Sequence, residues 1–338
     1  MPETLTPLPA AAQHAQLVRT LYQGLLGREA DAAGLHHWCG ALAAGADLAT
    51  LTAAIVDSEE YRRNAQRRQA GAVASARLAE RCRAAFGRQA LRIVDVGAQM
   101  LADEAHVYAA LTEHGLRVDV IGFEPLEDKL SERARHDGAG SVRLYPHFIG
   151  DGQRHTFHIN APDATSSLLP FNRALTDQLI DLSQLRTERT EAVDTSRLDD
   201  VLDDGVGVDF LKLDIQGFEL PALRHAGAVL ARTNVVHCEV SFAEIYAGQG
   251  LFSDIEQLLR AQGFDFLDFH TSCRYAYEGG ADASARDRLG WGDAIFFKRA
   301  HALGRRDLLA QAAIALLIYD KPSLAAALAA QADAATLA

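Results

Sequence analysis

At 338 residues the chain has room for about two domains. A hydrophobic content of 49% beside 23% charged residues is that of a folded globular protein, which excludes the disordered and fibrous classes. A formal net charge of -12 speaks against a nucleic-acid partner, whose phosphates need a basic surface.

The N-terminal residues Met1 to Ala12 lack the basic segment and apolar core of a secretory signal. No stretch approaches the ~18 apolar residues of a membrane span. Cys39, Cys82, Cys238 and Cys273 lie far apart without a CxxC pair, which fits reduced thiols in a cytoplasmic protein better than a zinc site or disulfide frame. No HExxH occurs among the histidines, and no transition-metal site is expected.

Residues from about Ala12 to Asn64 read as helical. Leu17, Leu21 and Leu25 recur at helical spacing, Gly27 to Gly34 breaks the pattern, and Leu35, Trp38 and Leu42 begin a second apolar face. Gly45 and Asp47 interrupt again before Leu48, Leu51 and Ile55. The string LYQGLLGREADAAGLHHWCGAL, followed by IVDSEEYRRN, resembles a small bacterial helical domain of unknown function. Asp31 and Gly34 sit where a turn between packed helices is expected, since the acid-rich spacing of a calcium loop is absent. The expected divisions are a helical domain at 1–65, a connecting helix at 66–90, an α/β domain at 91–300 and an Ala/Leu-rich helical tail at 301–338.

From Leu91 onward, strands alternate with helices. Strands are predicted at Leu91–Val96, Val118–Phe123, Val142–Ile149, His155–Asn160, Val208–Leu213, Val235–Val240, Phe264–Phe269 and Asp293–Lys298. Helices are predicted at Asp103–His114, Leu126–Arg135, Glu219–Ala226 and Phe252–Gln262, with Phe171–Arg189 partly helical and placed to form a lid. The alternation implies a parallel, doubly wound Rossmann-like α/β sheet. The tail, with Leu308, Ala312, Leu316, Leu324 and Leu328 at helical spacing, is expected to pack on the core or on a second subunit, making a homodimer.

Three strands run into carboxylates: Asp95, Glu124 and Asp214. Open parallel sheets bind ligands beyond the carboxyl ends of their strands. A strand-ending acid also serves to cap the next helix, but three on one rim point to a site. The first turn, Asp95-Val96-Gly97-Ala98-Gln99, holds one glycine instead of the G-x-G-x-x-G that brings backbone against a pyrophosphate. It suits a ligand with an ammonium group and no phosphate. Glu124 follows Asp95 by 29 residues, where a βαβ unit places the acid for ribose hydroxyls. A nucleoside joined to a charged amino acid describes S-adenosylmethionine.

VDVGA, VIGFEP, FIGDG, VDFLKLDIQGFE and EVSFAEIY resemble the FkbM family of S-adenosylmethionine-dependent methyltransferases, from about Leu91 to Lys298. The resemblance implies O-methylation of hydroxyls on sugars, polysaccharides and other hydroxylated metabolites. It implies that Asp95, Gly97, Ala98 and Gln99 contact the amino-acid portion of the cofactor, Glu124 and Pro125 the ribose, Gly150 and Asp151 the adenine, and Asp214 the methyl region. The family often has Asn where this chain has Gln99, and Gly where it has Leu101.

A hydroxyl acceptor needs a base. Asp214 is the first choice and Glu239, ending the next strand, the second; cofactor positioning and helix capping are the other roles open to them. Ser166 and Ser167 in the turn-rich insertion, with Tyr246 and Trp291, are acceptor-side candidates, and Asp293 and His147 stand behind them. Adjacent strand-end carboxylates are compatible with Mg²⁺, but no metal is indicated. A protein partner is expected for the helical domain. The other function open at this point is a non-catalytic methyltransferase fold that binds a ligand or scaffolds glycan-modifying enzymes.

Overall fold

The computed structural model of the chain describes residues 10–98, 106–126, 129–131, 133, 142–280 and 285–335. The chain divides into two compact units, Met1–Arg77 and Leu78–Ala338.

The first unit is helical, with α1 (Ala10–Leu21) running into a short π-turn at Tyr22–Leu26, then α2 (Ala32–Ala43), α3 (Leu48–Val56) and the start of α4 (Glu59–Phe86). Each break has a local cause. Asp31 and Asp47 cap α2 and α3 by accepting the Gly34 and Thr50 N–H groups at 2.8 Å. Ser58 accepts the Tyr61 N–H at 3.1 Å, so the Ser-x-Glu-Tyr string is the start signal of α4. Val18, Tyr22, Leu51 and Ile55 form a small core, with Leu25, Leu35, Trp38 and Leu42 packed on it. A Cβ at Gly34 would sit 2.6 Å from the Tyr22 hydroxyl, which explains the glycine of that motif.

The second unit is built on a seven-stranded sheet: β1 (Leu91–Val96), β2 (Val118–Phe123), β3 (Val142–Tyr145), β7 (Val208–Leu213), β8 (Thr233–Ser241), β9 (Phe264–Tyr275) and β10 (Arg288–Lys298) in the order β3-β2-β1-β7-β8-β10-β9. A second sheet joins β4 (Phe148–Ile149), β5 (Arg154–Ala161) and β6 (Arg186–Ser196) in the order β4-β6-β5. Helix α5 (Ala109–Glu113) follows β1, α6 (Glu219–Arg224) and α7 (Gly227–Ala231) separate β7 from β8, α8 (Phe252–Ala261) precedes β9, and α9 (Arg305–Leu317) and α10 (Pro322–Ala334) close the chain.

Strand side chains alternate between faces. Leu91, Ile93, Phe210, Val235 and Ile295 pack under the C-terminal end of α4 together with α9 and α10. Val94, Val96, Leu211, Leu213, Val236 and Phe296 pack on the other face against α6, α7 and α8. The tail thus supplies one of the two layers that bury the sheet. The two apolar faces explain why the central strands read as continuous hydrophobic runs.

Three elements depart from the sequence expectation. The sheet is doubly wound but not wholly parallel, because β10 runs antiparallel to both β8 and β9. The stretch Val142–Ile149 is two strands in different sheets, broken at Pro146 and His147. The segment ending at Arg189 carries one helical turn at Arg173–Thr176 and then enters β6, which the sequence concealed because its residues are largely exposed and polar. The helix expected at Asp103–His114 is shorter, spanning Ala109–Glu113 among the described residues, and half of the one expected at Leu126–Arg135 lies outside them. Among the described residues, no helix is long and apolar enough to cross a membrane.

Candidate functional site

The strand order reverses between β1 and β7, since the chain builds outward to β3 on one side and to β8 on the other. A cavity of about 780 Å³ opens at the carboxyl ends of these strands, where open α/β sheets place their ligands. Two regular features of the sheet make its floor polar. The registers set Asp95 beside Lys212, Lys212 beside His237, and Glu239 opposite Asp293. These side chains share the face of Ile93, Phe210, Val235 and Ile295, so the apolar band covered by α9 and α10 gives way to charge at the strand ends.

Gly97 shapes the first turn. Its φ is 78°, and a Cβ would lie 1.8 Å from the Asp214 carbonyl, so no other residue fits there. This close approach brings the ends of β1 and β7 together. Asp95 is almost fully buried and accepts from Tyr108 Oη at 2.9 Å and Arg133 Nη1 at 3.1 Å. Burial alone would raise its pKa, but the Lys212 and Arg133 charges and the Tyr108 bond hold it below the usual carboxylate value. Its Oδ1 is buried without a hydrogen bond, 3.7 Å from Lys212 Nζ. Glu124 also lines the cavity and accepts the Leu126 N–H at 2.9 Å through Oε1.

At the other end, Asp214 lies 3.4 Å from Lys212 Nζ and accepts from Gln216 Nε2 at 3.1 Å. Gln216 holds a left-handed φ of 54°, and its side chain also reaches Glu239 at 3.4 Å and accepts from the Tyr246 hydroxyl at 2.9 Å. Its carbonyl accepts from Ser167 Oγ at 2.6 Å. One strained residue therefore ties β7, β8, the Ser166–Ser167 turn and Tyr246 into a single wall. Burial, reinforced by Asp214, Glu219 and Asp293, pushes the Glu239 carboxyl well above its ordinary pKa. Asp293 is also raised, first by burial and then by Asp214, despite accepting a hydrogen bond from Thr271. Lys212, opposed by burial, is held above the ordinary lysine value by Asp214, Asp95 and Asp293. Tyr246 stacks on Phe171, with centroids 5.3 Å apart, and Trp291 packs on the same apolar cluster.

Of the residues singled out from sequence, Asp95, Gly97, Glu124, Pro125 and Asp214 line this one cavity. So do Ser166, Ser167, Glu239, Tyr246 and Trp291, and also Asp293 and His147. Ala98, Gly150 and Asp151 do not. Gly150 packs on Thr195, while Asp151 is turned to His155 Nε2 at 2.8 Å, the Gln153 N–H and Thr195. Gln99 lies outside the described residues. Among the described residues, no three His, Cys, Asp or Glu side chains come together to hold a metal ion.

Sequence reasoning missed Lys212, Gln216, His237 and Thr271. Lys212 and Gln216 flank Asp214 in LKLDIQGFE, so a lysine inside an otherwise apolar buried strand was the available signal.

The description "Methyltransferase FkbM domain" matches residues 95–266, just over half of the chain. The chain belongs to the FkbM methyltransferase family. The methyltransferase domain is preceded by a match to "Domain of unknown function (DUF4214)" at residues 8–65. No curated protein matches the chain. Solved structures similar to it include a TehB-like SAM-dependent methyltransferase of Corynebacterium glutamicum, at 14% identity and TM-score 0.29, covering 70% of this chain and 97% of that one. The N-terminal domain of EvdMO1 with SAH bound is similar at 13% identity and TM-score 0.32, covering 66% of this chain and 81% of that one. A third is the 1,6-didemethyltoxoflavin-N1-methyltransferase of Burkholderia thailandensis, at 14% identity and TM-score 0.27, with coverage of 88% and 94%.

Proposed function

We propose that this methyltransferase uses S-adenosylmethionine and methylates a hydroxyl of a sugar, polysaccharide or other hydroxylated metabolite. The observation that carries the reading is the division of one cavity into two chemistries. Toward β1 and β2 stand Asp95, whose Oδ1 accepts no hydrogen bond and faces Lys212 at 3.7 Å, and Glu124, suited to an ammonium group and to vicinal hydroxyls. Toward β7, β8 and β10 stand Asp214, Glu239 and Asp293 beside Tyr246 and Trp291, suited to an uncharged polyol ring.

When bound, the cofactor supplies an electrophilic methyl on a sulfonium and departs as the neutral thioether. Asp214 would accept the proton of the acceptor hydroxyl as its oxygen takes up the methyl group. Glu239, whose carboxyl its surroundings push toward the protonated form, is placed to hydrogen-bond the acceptor and orient it. Lys212 fixes Asp214 and Asp95 at the boundary between the two ends, so alignment supplies much of the acceleration.

Calorimetric titration with S-adenosylmethionine and S-adenosylhomocysteine tests the reading. One-site binding is expected, weakened by about 1.5–3 kcal/mol in Glu124→Ala, the scale of a hydrogen bond to a charged group. Asp214→Asn should keep binding and lose transfer to glycan acceptors. An absence of binding to the wild-type chain at low salt would overturn the enzyme reading in favour of a non-catalytic scaffold.

A further inference from the structure

Tyr319 lies far beyond residue 266, where the family match ends, in the turn between α9 and α10. Its hydroxyl nevertheless reaches His237, a residue that lines the cavity. The turn is firmly seated: Asp320 adopts a left-handed φ of 49°, the Lys321 N–H donates to the Ala315 carbonyl at 2.8 Å, and Lys321 ion-pairs with Asp268 on β9. Tyr319 is 7% exposed, and its oxygen lies 2.9 Å from His237 Nδ1. The two rings are nearly parallel, at 7°. His237 lines the cavity, and its other nitrogen, Nε2, faces Asp293 Oδ1 at 3.8 Å.

A neutral imidazole has one donor nitrogen and one acceptor. The hydrogen bond made by one nitrogen sets the state of the other. Burial, then the charges of Lys212 and His270, depress the His237 pKa to about 3 against a smaller opposing effect of Asp95, so the ring is neutral at physiological pH. Among the described residues the Tyr319 hydroxyl bonds to no group besides His237 Nδ1, and buried hydroxyls are rarely left without an acceptor. The phenol therefore donates to Nδ1, and the imidazole proton resides on Nε2.

We propose that Tyr319 is a positioning residue for the transfer site, holding His237 as the Nε2–H tautomer so that its ring offers a fixed hydrogen-bond donor to the acceptor oxygen, between Asp293 and Lys212. The identity of the recipient rests on the methyltransferase reading above; the tautomer does not. The C-terminal helical pair is thus part of the active site as well as a cover for the sheet.

Long-range ¹H–¹⁵N spectra of the full-length protein, with His237→Asn to assign the signal, test this directly. A single Nε2–H tautomer is expected in the wild type between pH 5 and 8, with a mixture of tautomers in Tyr319→Phe. Methyl transfer to a panel of methyl glycosides should fall about ten- to a hundredfold in Tyr319→Phe, the scale on which removing the hydrogen-bond partner of a metal-bound histidine acts. Affinity for S-adenosylmethionine should not change. An Nδ1–H tautomer in the wild type, an unchanged tautomer in Tyr319→Phe, or a changed tautomer with wild-type turnover would each overturn the proposal. Failure of the wild type to bind S-adenosylmethionine would remove the methyltransferase reading, while the spectra still judge Tyr319.

Discussion

At the scale of single residues, the buried acids at and behind the site are pushed toward their protonated forms. Glu219 illustrates the consequence. Its Oε1 accepts the Ile215 N–H at 2.8 Å and the Gly217 N–H at 3.2 Å, which shapes the turn after Asp214. Burial pushes its carboxyl from 4.5 up to about 7, and the Asp214 charge adds to the shift against backbone hydrogen bonds from Glu219 itself, Ile215 and Gly217. Between those values the folded chain holds a proton that the unfolded chain has released, so this residue's contribution to stability is present at low pH and fades as pH rises to about 7. Glu219→Gln keeps an acceptor oxygen and cannot ionise. Relative to the wild type it should gain stability with rising pH, on the order of 3 kcal/mol by pH 8 and near zero at pH 4. Urea unfolding at the two pH values checks this, and parallel curves for the two proteins would refute it. Residue chemistry was partly legible in the sequence. Asp95, Glu124 and Asp214 stood out because each ends an apolar run, whereas Gln216 looked like an ordinary loop residue until its φ of 54° and its three partners placed it at the centre of the wall.

At the scale of elements, α9 is pinned to the sheet by a charge pair as well as by apolar packing. Asp209 on β7 is 1% exposed and accepts from the Arg92 N–H, from Asn234 Nδ2 and from Arg306 at the start of α9. Arg306 also lies over the Phe86 ring, 5.3 Å from its centroid. Arg306→Ala would leave a buried carboxylate short of its counter-charge. The expected loss is about 2–3 kcal/mol, below the ~3–5 kcal/mol of a fully buried pair because the arginine side chain is 36% exposed. Adding Asp209→Asn should restore part of that loss, and a double-mutant cycle by denaturant unfolding measures it. Additive losses would show that the pair does not act as a unit. The strands were legible in sequence because a strand buried on both faces must be apolar throughout. β6 was not, since an exposed strand in a small side sheet has no such constraint, and the direction of β10 shows only in its antiparallel pairing with β8 and β9.

At the scale of the whole molecule, the sheet of the second unit needs its C-terminal helices. Ending the chain at Leu303 would strip the cover from Leu91, Ile93, Phe210, Val235 and Ile295, which with α9 and α10 form one core. Burial stabilises by about 25 cal/mol per Å² of apolar surface, so such a truncation should abolish the cooperative thermal transition and bind a hydrophobic dye. A cooperative melt within a few degrees of the full chain would contradict the assignment. By itself the sequence determined the helical N-terminal region, the doubly wound sheet and the rim of three acids, since periodicity, capping and strand-ending residues are local and written in consecutive positions. Only the tertiary structure decided how that rim is completed. Lys212 stands between Asp95 and Asp214, Tyr246 closes on Gln216, and Tyr319 meets His237 across 82 residues of chain. Such contacts follow from strand register and helix packing, which bring together residues whose separation in sequence carries no trace of their meeting.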